Sequence, residues 1–266
     1  MTTPRPLGAV SATAISVARA RAYESARPDR LFHDPYAAAF VAAYGEPRRN
    51  DRTPGPLARA LLLHVVHRTR FYDDRLLASG HRQVVLLAAG LDTRAYRLDW
   101  PPRTRLYEVD LPAVLDLKHA VLAERGAVPR CDRTAVPADL VDPGWPEQLR
   151  AAGFDPAEPT AWLVEGLLVY LTAEQAARLM TTVTALSAPG SHLALERGRD
   201  LAAVPPDPSV RHITTLWKGG LGPGTADWLR AHGWAPETHP LDAVAARHGR
   251  PLPAPVTTAF VTAVRQ

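Results

Sequence analysis

The sequence predicts an α/β protein: a doubly wound, mostly parallel sheet of seven strands, preceded by a cap of helices. Three observations predict it. Short, almost wholly apolar runs recur from residue 83 onward, the pattern of strands buried on both faces of a parallel sheet. Helical stretches separate these runs, as βα units require. The first 80 residues, by contrast, show only helical spacing. At 266 residues with 46% apolar and 22% charged side chains, the chain can bury a full core.

The helical part begins with the Ala-rich stretch 10–25, stopped by Pro28. A second helix is expected over 34–44, with Asp34 as N-cap and Pro35 at the first helical position. A Pro/Arg-rich loop at 45–55 leads to a long amphipathic helix from Pro56 to Leu77. Its positions Leu57, Ala60, Leu61, His64, Val65 and Phe71 share one face. The strands are expected at 83–88, 105–109, 133–140, 161–165 and 192–196, with a strand near Trp234 and a last one at 260–264. Helices are expected over 112–125, after Thr172 and over 224–232; Thr172 and Gln175 have the spacing of a capping box. The Pro-rich piece 204–208 reads as a surface loop. The chain therefore divides into an N-terminal helical cap, 1–80, and a sheet-containing core, 81–266.

Composition narrows the function. The net charge is +4, but the basic residues are scattered singly, so neither a nucleic-acid arm nor a polybasic membrane patch is expected. One cysteine, Cys131, excludes an intrachain disulfide. Arg5, Pro6, Arg19 and Arg21 interrupt any signal-peptide core, and no run approaches the roughly 18 apolar residues of a membrane span. The expected location is the cytoplasm, and no metal site is expected.

Ligands of such sheets bind at the carboxyl ends of the strands, so chemistry is sought there. The first strand ends in Ala88-Ala89-Gly90-Leu91-Asp92, where Gly90 permits a tight turn. Asp110 ends the second strand, twenty positions after Gly90, where a carboxylate can accept both ribose hydroxyls of a nucleoside. A buried turn glycine with a helix-capping aspartate fits the same residues. A nicotinamide cofactor is disfavoured, because GxGxxG needs Gly at Ala88 and Thr93. Asp139 and Leu140 after the third strand suit an adenine, or Asp139 caps the next helix. Glu165 closes an apolar strand and requires a cationic partner, either a ligand ammonium or a structural arginine. Arg68 falls within the apolar stripe of the long helix, so it faces an anion: a ligand carboxylate or a structural Asp or Glu.

These motifs together resemble the leucine carboxyl methyltransferase family, including its bacterial polyketide O-methyltransferases. The matching pieces are RAYES and LFHDPYA within 21–37, HRTRFYDD (67–74), VVLLAAGLDTRAYRL (84–98), YEVDLPAVLDLK (107–118), ADL (138–140) and EGLLVYLT (165–172). WLRAHGW (228–234) and HGR (248–250) extend the likeness over most of the chain. The resemblance implies a Rossmann-like class I fold and an O-methyltransferase of secondary metabolism. It would use S-adenosylmethionine (SAM) to methylate a carboxylate or hydroxyl of a small acidic molecule. It further implies that Arg68 and Arg21 hold the SAM carboxylate. Gly90 and Asp92 would line the methionyl group, Asp110 and Leu111 the ribose, Asp139 and Leu140 the adenine, and Glu165 the amino group. This chain departs from the family at Ala88, where glycine is usual; alanine suits that turn if its φ is negative.

A carboxylate acceptor is ionised at neutral pH and needs no base. A hydroxyl acceptor needs one, and Tyr170, His33, Tyr36 and His192 are the candidates. The alternative functions are a non-catalytic SAM- or nucleoside-binding protein and an NAD(P)-dependent oxidoreductase.

Overall fold

The computed structural model describes residues 9–44, 55–198, 201, 207–208, 210–252 and 258–266. The expected loop at 45–55 therefore falls almost wholly, and that at 204–208 largely, outside the described residues. Three helices come first: α1 (Ala9–Ser25), α2 (Ala37–Tyr44) and α3 (Pro56–Ser79). Asp34 Oδ1 accepts the N–H groups of Tyr36 (3.0 Å) and Ala37 (3.1 Å), so it organises the entry to α2 although the helix begins three residues later. Pro56 opens α3 after an extended Gly55, and Gly80 ends it at φ +68, the left-handed stop that glycine permits.

The sheet then alternates β1 (Gln83–Leu87), α4 (Arg94–Arg97), β2 (Arg105–Asp110), α5 (Pro112–Glu124), β3 (Asp132–Pro137), α6 (Trp145–Ala151) and β4 (Thr160–Val164). After α7 (Ala173–Ala185) and β5 (His192–Glu196) come α8 (Arg211–Thr214), α9 (Thr225–Ala231), β6 (Trp234–Pro240), α10 (Leu241–Arg247) and β7 (Ala259–Arg265). The strand order is β3-β2-β1-β4-β5-β7-β6. The first five are parallel, and β7 runs antiparallel between β5 and β6. This is the doubly wound, mostly parallel seven-stranded sheet expected. The reversal of strand order lies between β1 and β4, whose backbones pair from Gln83↔Thr160 to Leu87↔Val164.

Alternation within the strands feeds two cores. Val84 and Leu86 of β1 join Ile15, Phe40, Tyr72 and Phe260 on the face covered by the N-terminal helices. Val85 and Leu87 join Trp162, Met180 and Val183 on the other. The central strands β1 and β4 are buried at every position because both faces are covered. β3 and α10 depart from expectation. β3 stops at Pro137, because Asp139 Oδ1 accepts Val141 N–H at 2.9 Å and turns the chain. α10 is a short helix that no sequence signal announced. The Thr172–Gln175 capping box is present, with reciprocal bonds of 3.2 and 3.0 Å.

Candidate functional site

A cavity of about 390 Å³ lies at the carboxyl ends of β1, β2 and β4, where the strand order reverses. Each wall follows from a local feature. Thr13, Val17 and Arg21 reach it from α1, spaced four apart and therefore on one face. Arg68 comes from α3, Ala88 to Asp92 from the turn after β1, Asp110 and Leu111 from the end of β2, and Asp139 and Leu140 from the segment after β3. Glu165, Gly166 and Tyr170 follow β4. Thus Arg21, Arg68, Gly90, Asp92, Asp110, Leu111, Asp139, Leu140 and Glu165 all line one cavity.

The turn after β1 is pinned to the end of β2. Gly90, at φ +51, donates its N–H to Asp110 Oδ2 at 2.5 Å, and Leu111 donates to Asp110 Oδ1 at 2.7 Å. Each oxygen keeps a lone pair for a ligand. Burial pushes the Asp110 carboxyl above its ordinary pKa, although both amides and Lys118 oppose this. Ala88 does not meet the condition of a negative φ: it sits at φ +52, in the left-handed region. An L-residue there costs roughly 1–2 kcal/mol.

The floor is a network of buried charges. Arg68 Nε lies 2.7 Å from Glu165 Oε1, and its Nη1 donates to Glu196 Oε1 at 3.0 Å. Arg94 joins Asp73 (2.7 Å) and Glu165 (2.8 Å) and also binds Asp92. Burial pushes the Asp92 carboxyl up, but Arg94, Lys118, Arg21 and Arg97 outweigh it and hold the pKa at about 2. The inward-facing Arg68 thus meets two structural glutamates, and Glu165 meets two arginines. Arg21 Nε lies 3.0 Å from Asp34 Oδ2, and its Nη2 donates to the Leu91 carbonyl at 2.5 Å. Gly166, at φ +65, brings its N–H to Glu196 Oε2 at 2.5 Å.

Sequence reasoning missed Arg94, Asp73 and Glu196. Glu196 carried a readable signal, since it closes the apolar run HLALE as Glu165 closes AWLVE. Arg94 carried none, because α4 is a single turn with no periodicity to show which way it faces.

Of the candidate bases, only Tyr170 lines the cavity. His33 is exposed, and Tyr36 packs edge-on against Tyr96 at 5.9 Å; neither lines this cavity. His192 begins β5 and packs against His81 at the amino end of the sheet, opposite the cavity. Among the described residues no group of His, Cys, Asp and Glu could hold a metal ion, and no helix is long and apolar enough to cross a membrane.

A second cavity of about 580 Å³ adjoins the first and shares Thr13, Val17, Arg68, Gly166 and Tyr170 with it. Its other walls are the neighbouring face of α1, the first half of α3, and Arg197, Gly198, Val210, Ile213 and Trp217.

Comparison with known proteins agrees with this architecture. The chain is 50% identical, over 96% of its length and 87% of the relative's, to a Parafrankia sp. (strain EAN1pec) protein provisionally named as an S-adenosyl-L-methionine-dependent methyltransferase. A provisionally named methyltransferase of Thermobifida fusca shares the fold with a TM-score of 0.55 at 19% identity, covering 93% of this chain and 94% of that one. Magnesium protoporphyrin IX methyltransferase of Synechocystis, solved with bound S-adenosylhomocysteine (SAH), shares it with a TM-score of 0.52 at 14% identity, covering 94% and 99%. Residues 14–184 match the family described as leucine carboxyl methyltransferase, and the chain belongs to that family.

Proposed function

We propose that this protein transfers the methyl group of SAM to an oxygen, carboxylate or hydroxyl, of a small acidic molecule of secondary metabolism. As a member of its family it is a SAM-dependent methyltransferase; the oxygen acceptor, its small size and its metabolic setting are our reading. The observation that carries it is the convergence of nine residues, from separate elements, on one cavity beside a second, larger one.

The residues fit SAM. The cavity volume of about 390 Å³ lies within the range of roughly 300–1,000 Å³ for small-molecule sites. Asp92, Asp110, Asp139 and Glu165 line it against Arg21, Arg68 and Lys218, one negative charge in excess. SAM has a sulfonium, an ammonium and one carboxylate, one positive charge in excess. In this reading Asp110, already oriented by two backbone amides, takes the ribose hydroxyls. Asp139 and Leu140 take the adenine, and Glu165 and Arg68 face the amino and carboxylate groups. Helices α1 to α3 form a cap that closes the cofactor site and shapes the acceptor site.

When bound, SAM supplies an already activated methyl group, so the protein's task is orientation and exclusion of water. Tyr170, on the wall common to both cavities, is the side chain that would meet an acceptor oxygen. A carboxylate acceptor needs no proton removed. Calorimetry with SAM and SAH, followed by a screen of acceptors for gain of one methyl by mass, tests the reading. SAM binding with methylation at oxygen is expected. Failure to bind SAM would sink the proposal, and binding without turnover on any acceptor would leave a non-catalytic SAM-binding protein.

A further inference from the structure

The second cavity has an unusual lining. The first half of α3 turns Leu61, Leu62 and Val65 towards it, and these side chains are only half-buried. An apolar helix face normally closes on protein. Here it fronts a chamber, with Trp217 and Ile213 also on the wall and the exposed ring of Tyr23 at α1. The chamber therefore suits an apolar, ring-sized body.

Its charges are one-sided. Among the described residues Glu196 is its one acidic lining residue, against Arg19, Arg59, Arg68 and Arg197. Glu196 is already engaged by Arg68 at 3.0 Å and lies 3.3 Å from His64 Nε2. Arg19, half-buried on α1, and Arg59, exposed on α3, face the chamber from opposite helices. Among the described residues neither makes an ion pair with a carboxylate, whereas Arg21, Arg68, Arg94 and Arg97 all do. An uncompensated guanidinium beside an apolar wall selects an anion, and two of them on facing helices suit a carboxylate, sulfonate or phosphate.

We propose that Arg19 and Arg59 are specificity residues. They hold an anionic group on the acceptor, remote from the oxygen that is methylated, while α1 and α3 clasp its apolar body. The proposal rests on the reading of the second cavity as the acceptor site. It gives the substrate class: an apolar, ring-containing molecule with an acidic handle at the end away from Tyr170.

Two fluorescent probes of almost the same body separate the charge from the shape: anilinonaphthalene sulfonate, and phenylnaphthylamine, which lacks the sulfonate. Binding is measured to the full chain loaded with SAH, whose own affinity is titrated for every variant. The sulfonate should bind the more tightly. Arg19→Gln should weaken it about tenfold and the more exposed Arg59→Gln about threefold, with phenylnaphthylamine and SAH nearly unchanged. Ala20→Trp, which fills the chamber from α1, should expel both probes; Leu62→Trp, filling it from α3, repeats the test should the first variant misfold.

Equal binding of the two probes, no binding of either, or sulfonate affinity indifferent to both arginines overturns the proposal. So does sulfonate binding that survives a filled chamber, since the probe then sits elsewhere. Loss of SAH binding by the wild-type chain would instead count against the methyltransferase reading of the first cavity, so the two failures are distinguishable.

Discussion

Arg68 stands between Glu165 and Glu196, and this decides what its loss does. Removing one partner of a buried ion pair strands the other, typically at about 3–5 kcal/mol. Arg68→Leu should therefore lower unfolding free energy by about 3 kcal/mol in urea titrations. Adding Glu196→Gln should restore a substantial part of it. A single variant as stable as the wild type would show that the pairs contribute nothing. Asp110 makes a different demand, because its partners are backbone amides that remain when it is truncated. Asp110→Ala should weaken SAM by about 1.5–3 kcal/mol, the range of a charged hydrogen bond, in calorimetry on a folded variant. Ala88 runs the other way. At φ +52 it bears a strain that glycine would not, so Ala88→Gly should raise stability by up to about 1 kcal/mol. SAM affinity should stay the same or improve. A destabilised Ala88→Gly chain would mean that the turn is not held in the left-handed region.

At the scale of the element, α7 was the most completely legible. Thr172 and Gln175 fix its start reciprocally, and Ala176, Leu179, Met180 and Val183 are buried on the stripe that their spacing predicts. Thr172→Ala should cost about 1 kcal/mol, read as a lower denaturation midpoint with an unchanged slope. A midpoint equal to wild type would assign the stability of α7 to packing alone. The long helix α3 was legible only in part. Its second half buries Phe71, Tyr72 and Leu76 in the core, as an apolar stripe should. Its first half, with an equally good stripe, faces the second cavity. Periodicity reports that a face is apolar, not what covers it. The Ala-rich α1 posed the opposite problem, since alanines around the whole helix leave no stripe to read. Its two cavity-facing sides, Thr13-Val17-Arg21 and Ser16-Ala20-Tyr23, emerge only in the fold.

The whole molecule feels the buried charges through pH. Asp92 has its carboxyl held at about 2 in the folded chain against an ordinary 3.8. A depressed folded-state pKa stabilises the fold above the unfolded value and ceases to do so as pH falls through the folded one. Acid should therefore remove about 2 kcal/mol of stability between pH 4 and pH 2 through this residue. Asp92→Asn should be less stable than wild type at neutral pH, and the gap should narrow across that window. A constant difference between the two proteins from pH 5 to pH 2 would show that Asp92 is not held by Arg94 in this way.

The sequence by itself determined the sheet, its mostly parallel direction and the end at which the 390 Å³ cavity lies. Apolar runs, their spacing and the residues that stop them are properties of a few consecutive positions, and those suffice for strands and turns. Gly90, Asp110 and Glu165 could be singled out because each lies at or just beyond the carboxyl end of a strand. What only the tertiary structure decided is which charges meet. Arg68 and Glu196 are 128 positions apart and touch because β5 lies beside β4 under α3. Arg94 reaches Asp73 and Glu165 through a one-turn helix whose direction no pattern records. That two adjoining cavities share Thr13 and Val17 of α1 in their walls is likewise a product of packing. Helical periodicity specifies an apolar face, but only the path of the chain through space specifies whether that face meets a core, a cofactor or an acceptor.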